Sequence, residues 1–285
     1  MEKGVGRSGL PGPFVNQLGQ MDAFLHVLRA FQNPAVPHSE GSIDIARDAS
    51  IVDTEFLLND LGTVERRLER LDQSIQKGAS DREQAAKEKA LFERMHDWLE
   101  AEQPLRAMAM TREEEQSTRG YGLLTLKPTL IVVNASDEGA PALEVTLAKT
   151  AVVTLNGKLE REIAELSAED AALFMQEFSL GELSRSKVIH LSYELLGLQS
   201  FFTVGEDEVR AWTVRRGATA PEAAGEIHTD LQKGFIRAEV ASYADLASLG
   251  GYPEVKAKGR LRLEGKEYVV QDGDVLNIRF SPPAK

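Results

Sequence analysis

Between Ile51 and Thr111 the apolar positions fall at helical spacing. Leu57, Leu61, Val64, Leu68, Leu71 and Ile75 recur at alternating intervals of four and three, a heptad seam that lays one apolar stripe along a helix. Gly78 interrupts the seam, and "SDRE" (Ser80 to Glu83) then reads as a capping box that starts a second helix. That helix carries Leu91, Met95, Trp98 and Leu105 on one side. Two long helices joined by a short turn predict an antiparallel hairpin, a coiled coil whose flanking charges form its solvated face.

On either side of the hairpin the pattern is different. "DAFLHVLRAF" (Asp22 to Phe31) is an apolar run short enough for a buried strand, and "NPAVPHSEGS" (Asn33 to Ser42) reads as a loop. "TLIVVN" (Thr129 to Asn134) and "TAVVTLNG" (Thr150 to Gly157) are further strand candidates, followed by helices near Lys158 to Glu165 and Ala168 to Phe178. Continuous apolar strands alternating with helices predict a parallel sheet covered on both faces. From about Gln199 the grammar changes to short alternating strands, "VRAWTVRRG" and "RAEVAS". "RLRLEGKEYVVQDGDVLNIRF" reads as three strands joined by Glu-Gly and Asp-Gly turns. This predicts a small α+β domain of the β-grasp (ubiquitin-like) kind.

Composition narrows the function classes. The 285 residues contain no cysteine, which excludes disulfides, a thiol nucleophile and a zinc-thiolate site. No signal-peptide pattern opens the chain and no apolar run reaches membrane-spanning length, so a cytoplasmic protein without a membrane partner is expected. The formal net charge of -12 confines any nucleic-acid contact to a local basic patch.

The stretch "FFTVGEDEVRAWTVRRGATAPEAAGEIHTDLQKGFIRAEV", with "LEGKEYVVQDGDVLNIRF" after it, closely resembles the C-terminal TGS domain of the YchF / Obg-like ATPase family. The resemblance continues upstream through "QMDAFLHVLRAF", "HSEGSIDIARD" and "LTLKPTLIVVNASDEG", and covers nearly the whole chain in order. It implies a fold class of α/β type: part of an Obg-type, P-loop NTPase-like parallel sheet, interrupted by the coiled-coil hairpin and followed by the TGS domain. The implied segments are 1–50 and 119–198 for the nucleotide-binding fold, 51–118 for the hairpin and 199–285 for the TGS domain. It also implies ATP with Mg²⁺ as ligand and the ribosome or RNA as partner.

A P-loop needs Gly-x-x-x-x-Gly-Lys-Ser/Thr, whose backbone amides, lysine and hydroxyl hold phosphates and Mg²⁺. No such run occurs among these residues; "KGVGRSGLPG" resembles the family's loop after the Asp-x-x-Gly motif. The expectation is a chain truncated before the P-loop, without hydrolysis by itself, and with the strand at Phe24 to Leu28 left as an apolar edge that a partner chain or a local rearrangement covers, or that makes the fragment poorly soluble. Two rival readings stand. One is an ATP or GTP hydrolase whose phosphate site lies upstream or in a second chain. The other is a protein-interaction module that uses only the TGS domain.

By resemblance the base-reading motif Asn-x-x-Glu corresponds here to "NASD", with Asn134, Ala135 and Asp137 as the base-binding candidates. A carboxamide pairs with a purine edge and a carboxylate accepts from a purine amine, so adenine and guanine both remain open. The other reading of "NASDEG" is a polar exit from a strand. Arg210, Arg215, Arg216, Lys233 and Arg237, near Trp212 and Phe235, are the candidate ribosome or RNA contacts. His228 is expected to brace a short helix, His26 to belong to a strand core, and His38 to the loop. No metal ligands are expected among them. Gly217, Gly225 and Gly234 are expected at backbone turns.

Overall fold

The computed structural model describes residues 10–77, 81–137, 139–143, 148–177, 183–205 and 208–281. They fall into two compact units that divide between Leu195 and Leu196. Among the described residues no helix is long and apolar enough to cross a membrane.

The first unit runs α1 (Gly12–Gly19), β1 (Phe24–Ala30), α2 (Ile45–Gln76), α3 (Arg82–Glu100), α4 (Arg112–Thr118), β2 (Thr129–Ala135), β3 (Thr150–Leu155), α5 (Gly157–Ala164), α6 (Ala168–Glu177) and α7 (Ser184–Leu195). The strands form a parallel sheet in the order β1-β2-β3, with Phe24 beside Thr129 and Thr129 beside Thr150. Both faces of β2 are buried, which is why "TLIVVN" is apolar throughout. Ile131 and Val133 pack with Leu28 against Ile45 and Ala49 of α2, while Leu130, Val132 and Val153 pack against Val188, Leu191 and Leu195 of α7.

β1 is buried on one face only. It lies at the sheet edge, and Leu25 and Val27 are 51% and 56% exposed while Leu28, on the opposite face, is 2% exposed. Side chains alternate between faces along a strand. The face carrying Leu28 meets α2, and no described element covers Leu25 and Val27.

Helix α2 begins at Ile45, earlier than its heptad seam implies, because Asp44 caps it by accepting from the Arg47 amide at 3.0 Å. Its first turns therefore cover the sheet and its later turns form the hairpin with α3. Val64 of the seam is buried against Leu91, Phe92, Met95 and Leu99, with Leu57, Leu61 and Leu68 half-buried beside them, and Leu71 is buried as well. Leu105 is buried too, but in a 3-10 turn beyond α3. Asp81 caps α3 by accepting from the Gln84 amide at 3.0 Å; Ser80, expected as the cap, lies outside the described residues.

Polar contacts fix the hairpin. Arg67 donates to both oxygens of Glu88 at 2.8 and 2.7 Å, and the Tyr121 hydroxyl donates to Glu88 Oε1 at 2.6 Å. The paired guanidinium holds the Glu88 carboxyl below its ordinary range, while burial and the bond to Glu88 push Tyr121 up to about 12. At the hairpin base the fully buried Asp60 accepts from the Leu124 amide at 2.9 Å and from the Thr125 amide and hydroxyl, both at 2.7 Å. Burial raises its pKa and those donors oppose the rise. This carboxylate ties α2 to the chain just before β2.

The second unit runs β4 (Leu198–Val204), β5 (Val209–Arg215), α8 (Ala220–Ile227), α9 (Thr229–Lys233), β6 (Phe235–Ser242), α10 (Tyr243–Leu249), α11 (Tyr252–Ala257), β7 (Arg262–Glu264) and β8 (Asp274–Phe280). The sheet order is β5-β4-β8-β6-β7, with β4 and β8 parallel and the other neighbours antiparallel, the β-grasp arrangement. Phe201, Val214, Ala238, Val240 and Leu276 pack under Ala220, Ala223 and Ala224 of α8.

"KEYVVQ" does not form the middle strand expected of it. Val270 instead donates its amide to Ala218 O, and the Ala220 amide donates to Tyr268 O, so this segment braces the entry to α8. The Tyr268 hydroxyl donates to Asp274 at 2.7 Å.

The glycine-marked stretch before β6 also has its reason. Gly217 adopts a left-handed φ of 84° at the turn into α8. Gly225 lies within α8 rather than at a turn, and Gly234 follows α9, where an added Cβ would stand 2.0 Å from the Ser281 carbonyl oxygen.

Candidate base-binding site and basic surface

The carboxyl ends of β2 and β3 bring together Asn134 of β2 and Asp137 just beyond it with Asn156 and Gly157 at the start of α5. Such strand ends are where open α/β sheets receive ligands. Asn134 Oδ1 accepts the Gly157 amide at 3.1 Å, and Asp137 Oδ1 accepts from Asn156 Nδ2 at 2.7 Å. Asn156 Oδ1 in turn caps α5 by accepting the Leu159 amide at 3.0 Å. Ala135 is buried and spaces the two polar residues, while Asp137 is exposed. The two candidates therefore do converge, and they rest on a pair sequence reasoning passed over. "LNG" reads as a strand end and turn; its asparagine before a helix was the available signal.

The neighbouring strand end is occupied differently. Arg29 stands beside Asn134 in the sheet register. Its guanidinium donates to the carbonyls of Phe31 at 2.9 Å, Val36 at 2.8 Å and Asn33 at 3.4 Å, folding the following loop around itself. The residues at these strand ends present a carboxamide and a carboxylate. They do not fit a Mg²⁺-triphosphate: Arg29 is committed to carbonyls, and these residues hold no Gly-x-x-x-x-Gly-Lys-Ser/Thr run.

The basic set is not gathered into one patch. Arg210 and Trp212 project from the face of β5 that carries the buried Val214, and the Arg210 guanidinium lies 4.2 Å from the Trp212 ring centroid. Arg215 projects from the opposite face, and Arg216 donates to the Leu198 carbonyl at 3.2 Å. Lys233 ends α9. Arg237 sits on the face opposite Ala238 and directly across from Arg279, which sequence reasoning did not single out and which pairs with Glu239.

The histidines are structural in their contacts. His228 Nδ1 accepts from the Asp230 amide at 3.1 Å and starts α9. His26 lies in β1 with its pKa lowered by burial, against the opposing pull of Asp53 and Asp48. His38 Nε2 lies 3.0 Å from Asp48, which clips the loop to α2. Among the described residues, His96, Asp97 and Glu100 on α3 are close enough to share a cation, but Asp97 and Glu100 are exposed and nothing else marks a site there.

Comparison with known proteins agrees with this architecture. The YchF-GTPase_C family model, described as a protein of unknown function (DUF933), matches residues 198–281. The chain is 39% identical to the protein named Ribosome-binding ATPase YchF of Bacillus subtilis, over 96% of this chain and 77% of that one. It is 33% identical to Obg-like ATPase 1 of Caenorhabditis elegans, over 97% and 72%. The solved structure of the Schizosaccharomyces pombe YchF GTPase superposes with a TM-score of 0.85 at 30% identity, covering 98% of this chain and 77% of that one.

Proposed function

The chain belongs to the YchF / Obg-like ATPase family, and on that premise we propose that it is a cytoplasmic, ribosome-associated protein whose 285 residues engage the purine of a nucleotide but do not hydrolyse it alone. The observation that carries the nucleotide half is the pair of hydrogen bonds, Asn134 to Gly157 and Asp137 to Asn156, that presents a carboxamide and a carboxylate at adjacent strand ends. The ribosomal half rests on the relatives named ribosome-binding ATPases, with the β-grasp unit, read as a TGS domain, and the hairpin as the contacting parts. ATP with Mg²⁺ is the family ligand. When bound, Mg²⁺ neutralises charge on the phosphates. Here the residues present hold only the base, so affinity is weak and nucleotide turnover requires a phosphate site from elsewhere. The exposed β1 edge, with Leu25 and Val27, suits a partner chain that supplies it.

Two measurements test this. Phosphate release from ATP or GTP with Mg²⁺ is expected to equal the protein-free rate, and turnover at family-like rates contradicts the non-hydrolytic reading. Co-sedimentation with 70S ribosomes is expected for the whole chain, and its absence at low salt removes the ribosomal half.

A further inference from the structure

We infer that β5 is a self-association edge: it pairs antiparallel with β5 of a second copy of this chain, across a two-fold axis at Trp212. The sheet of the second unit has two edge strands, and they differ. β7 is 3 residues long, a short edge of the kind that resists pairing. β5 runs 7 residues, carries no proline or lysine, and keeps an unbroken register with β4 from Val209 to Arg215. No described strand pairs with its outer side, and Val209, Ala211 and Arg215 are exposed.

The hydrogen-bond phase shows which backbone groups face outward. The Gly205 amide donates to Glu208 O at 2.8 Å, and the Arg216 amide donates to Gly197 O at 2.8 Å. Successive residues of an antiparallel strand turn their N–H and C=O groups to opposite sides. The even-numbered positions of β5 are therefore bonded to β4, and Val209, Ala211 and Arg215 aim theirs away from it. A two-fold axis through Trp212 sets Val209 of each copy against Arg215 of the other as hydrogen-bonded pairs. The two Trp212 rings then meet at a non-hydrogen-bonded position, where side chains stand closest and aromatic pairs stabilise. Glu208 of each copy faces Arg216 of the other. Arg216 Nε donates to the Leu198 carbonyl at 3.2 Å, which holds the guanidinium at the strand end. Acid at the start of the strand and base at its end complement a second copy only when that copy runs antiparallel, and the same patch then serves both sides of the interface. One pair of strands buries less than about 1,200 Å² in total, so the dimer is reversible, with a Kd on the order of 100 µM.

Sedimentation velocity of the whole chain from about 1 to about 500 µM is expected to show monomer giving way to dimer across that range. Ala211→Pro removes an outward N–H while sparing the ladder to β4. It is expected to abolish the dimer with the near-UV circular dichroism unchanged. Arg216→Glu sets like charges opposite each other at both ends and is expected to weaken association about tenfold; adding Glu208→Arg to it is expected to recover the parent affinity. Should Ala211→Pro lose its near-UV signal, this charge-reversal pair decides the question by itself. A chain that stays monomeric throughout overturns the inference, as does a dimer that survives a folded Ala211→Pro or that the charge reversals leave unchanged. If the chain is monomeric and Ala211→Pro instead abolishes co-sedimentation with 70S ribosomes, the edge serves the ribosome and self-pairing is likewise overturned.

Discussion

Asp60 shows how much one side chain holds. A fully buried carboxylate in the middle of α2 accepts from three donors at residues 124 and 125. Asp60→Ala leaves those donors buried and unmatched, and is expected to cost about 3 kcal/mol of stability, read from urea unfolding. Gly234→Ala forces a Cβ to within 2.0 Å of the Ser281 oxygen and is expected to cost on the order of 3 kcal/mol by the same measurement. Neither residue's contacts were legible in sequence. Asp60 looks like one more charge beside a heptad seam, because its partners lie more than sixty positions away. Asn134 and Asp137 were legible only through family resemblance. Their support, Asn156, was not, since a side chain that caps a helix and also reaches a neighbouring loop has the same local pattern as one that only caps.

Elements were read more faithfully than contacts, and the reasons are physical. A heptad seam and a continuous apolar strand are periodic over many residues, so α2, α3, β2 and β3 stand close to their expected places. "KEYVVQ" failed because short alternation does not say whether a segment pairs along its length or anchors at two points, as Tyr268 and Val270 do. The hairpin itself gives a pH test. Glu88 is depressed by Arg67, so its folded pKa lies below its unfolded one, and its stabilisation is present above the unfolded value and lost as pH falls through the folded one. Glu88→Gln is therefore expected to cost about 1 kcal/mol at pH 7, with the difference from the parent shrinking below the ordinary glutamate pKa of about 4.3 and lost as pH falls through the lower folded value, in thermal or urea unfolding across that range. A difference that persists in acid assigns the effect to packing instead.

At the scale of the molecule, the division at Leu195–Leu196 separates two cores that share no cluster among the described residues. Residues 196–285 expressed alone are expected to fold cooperatively, with near-UV circular dichroism from Trp212 retained. A molten fragment would show that the β-grasp core depends on the first unit. On the proposed function, the first unit holds the base end of a nucleotide site without the phosphate end. The most direct measurement is calorimetry of the whole chain with ATP, ADP and adenosine, each with and without Mg²⁺. Weak affinities within about threefold of one another and indifferent to Mg²⁺ are predicted, a spread of less than 1 kcal/mol. ATP binding that is Mg²⁺-dependent and about a hundredfold tighter than adenosine contradicts the claim, because a gain near 2.7 kcal/mol requires phosphate contacts that these residues are held not to make.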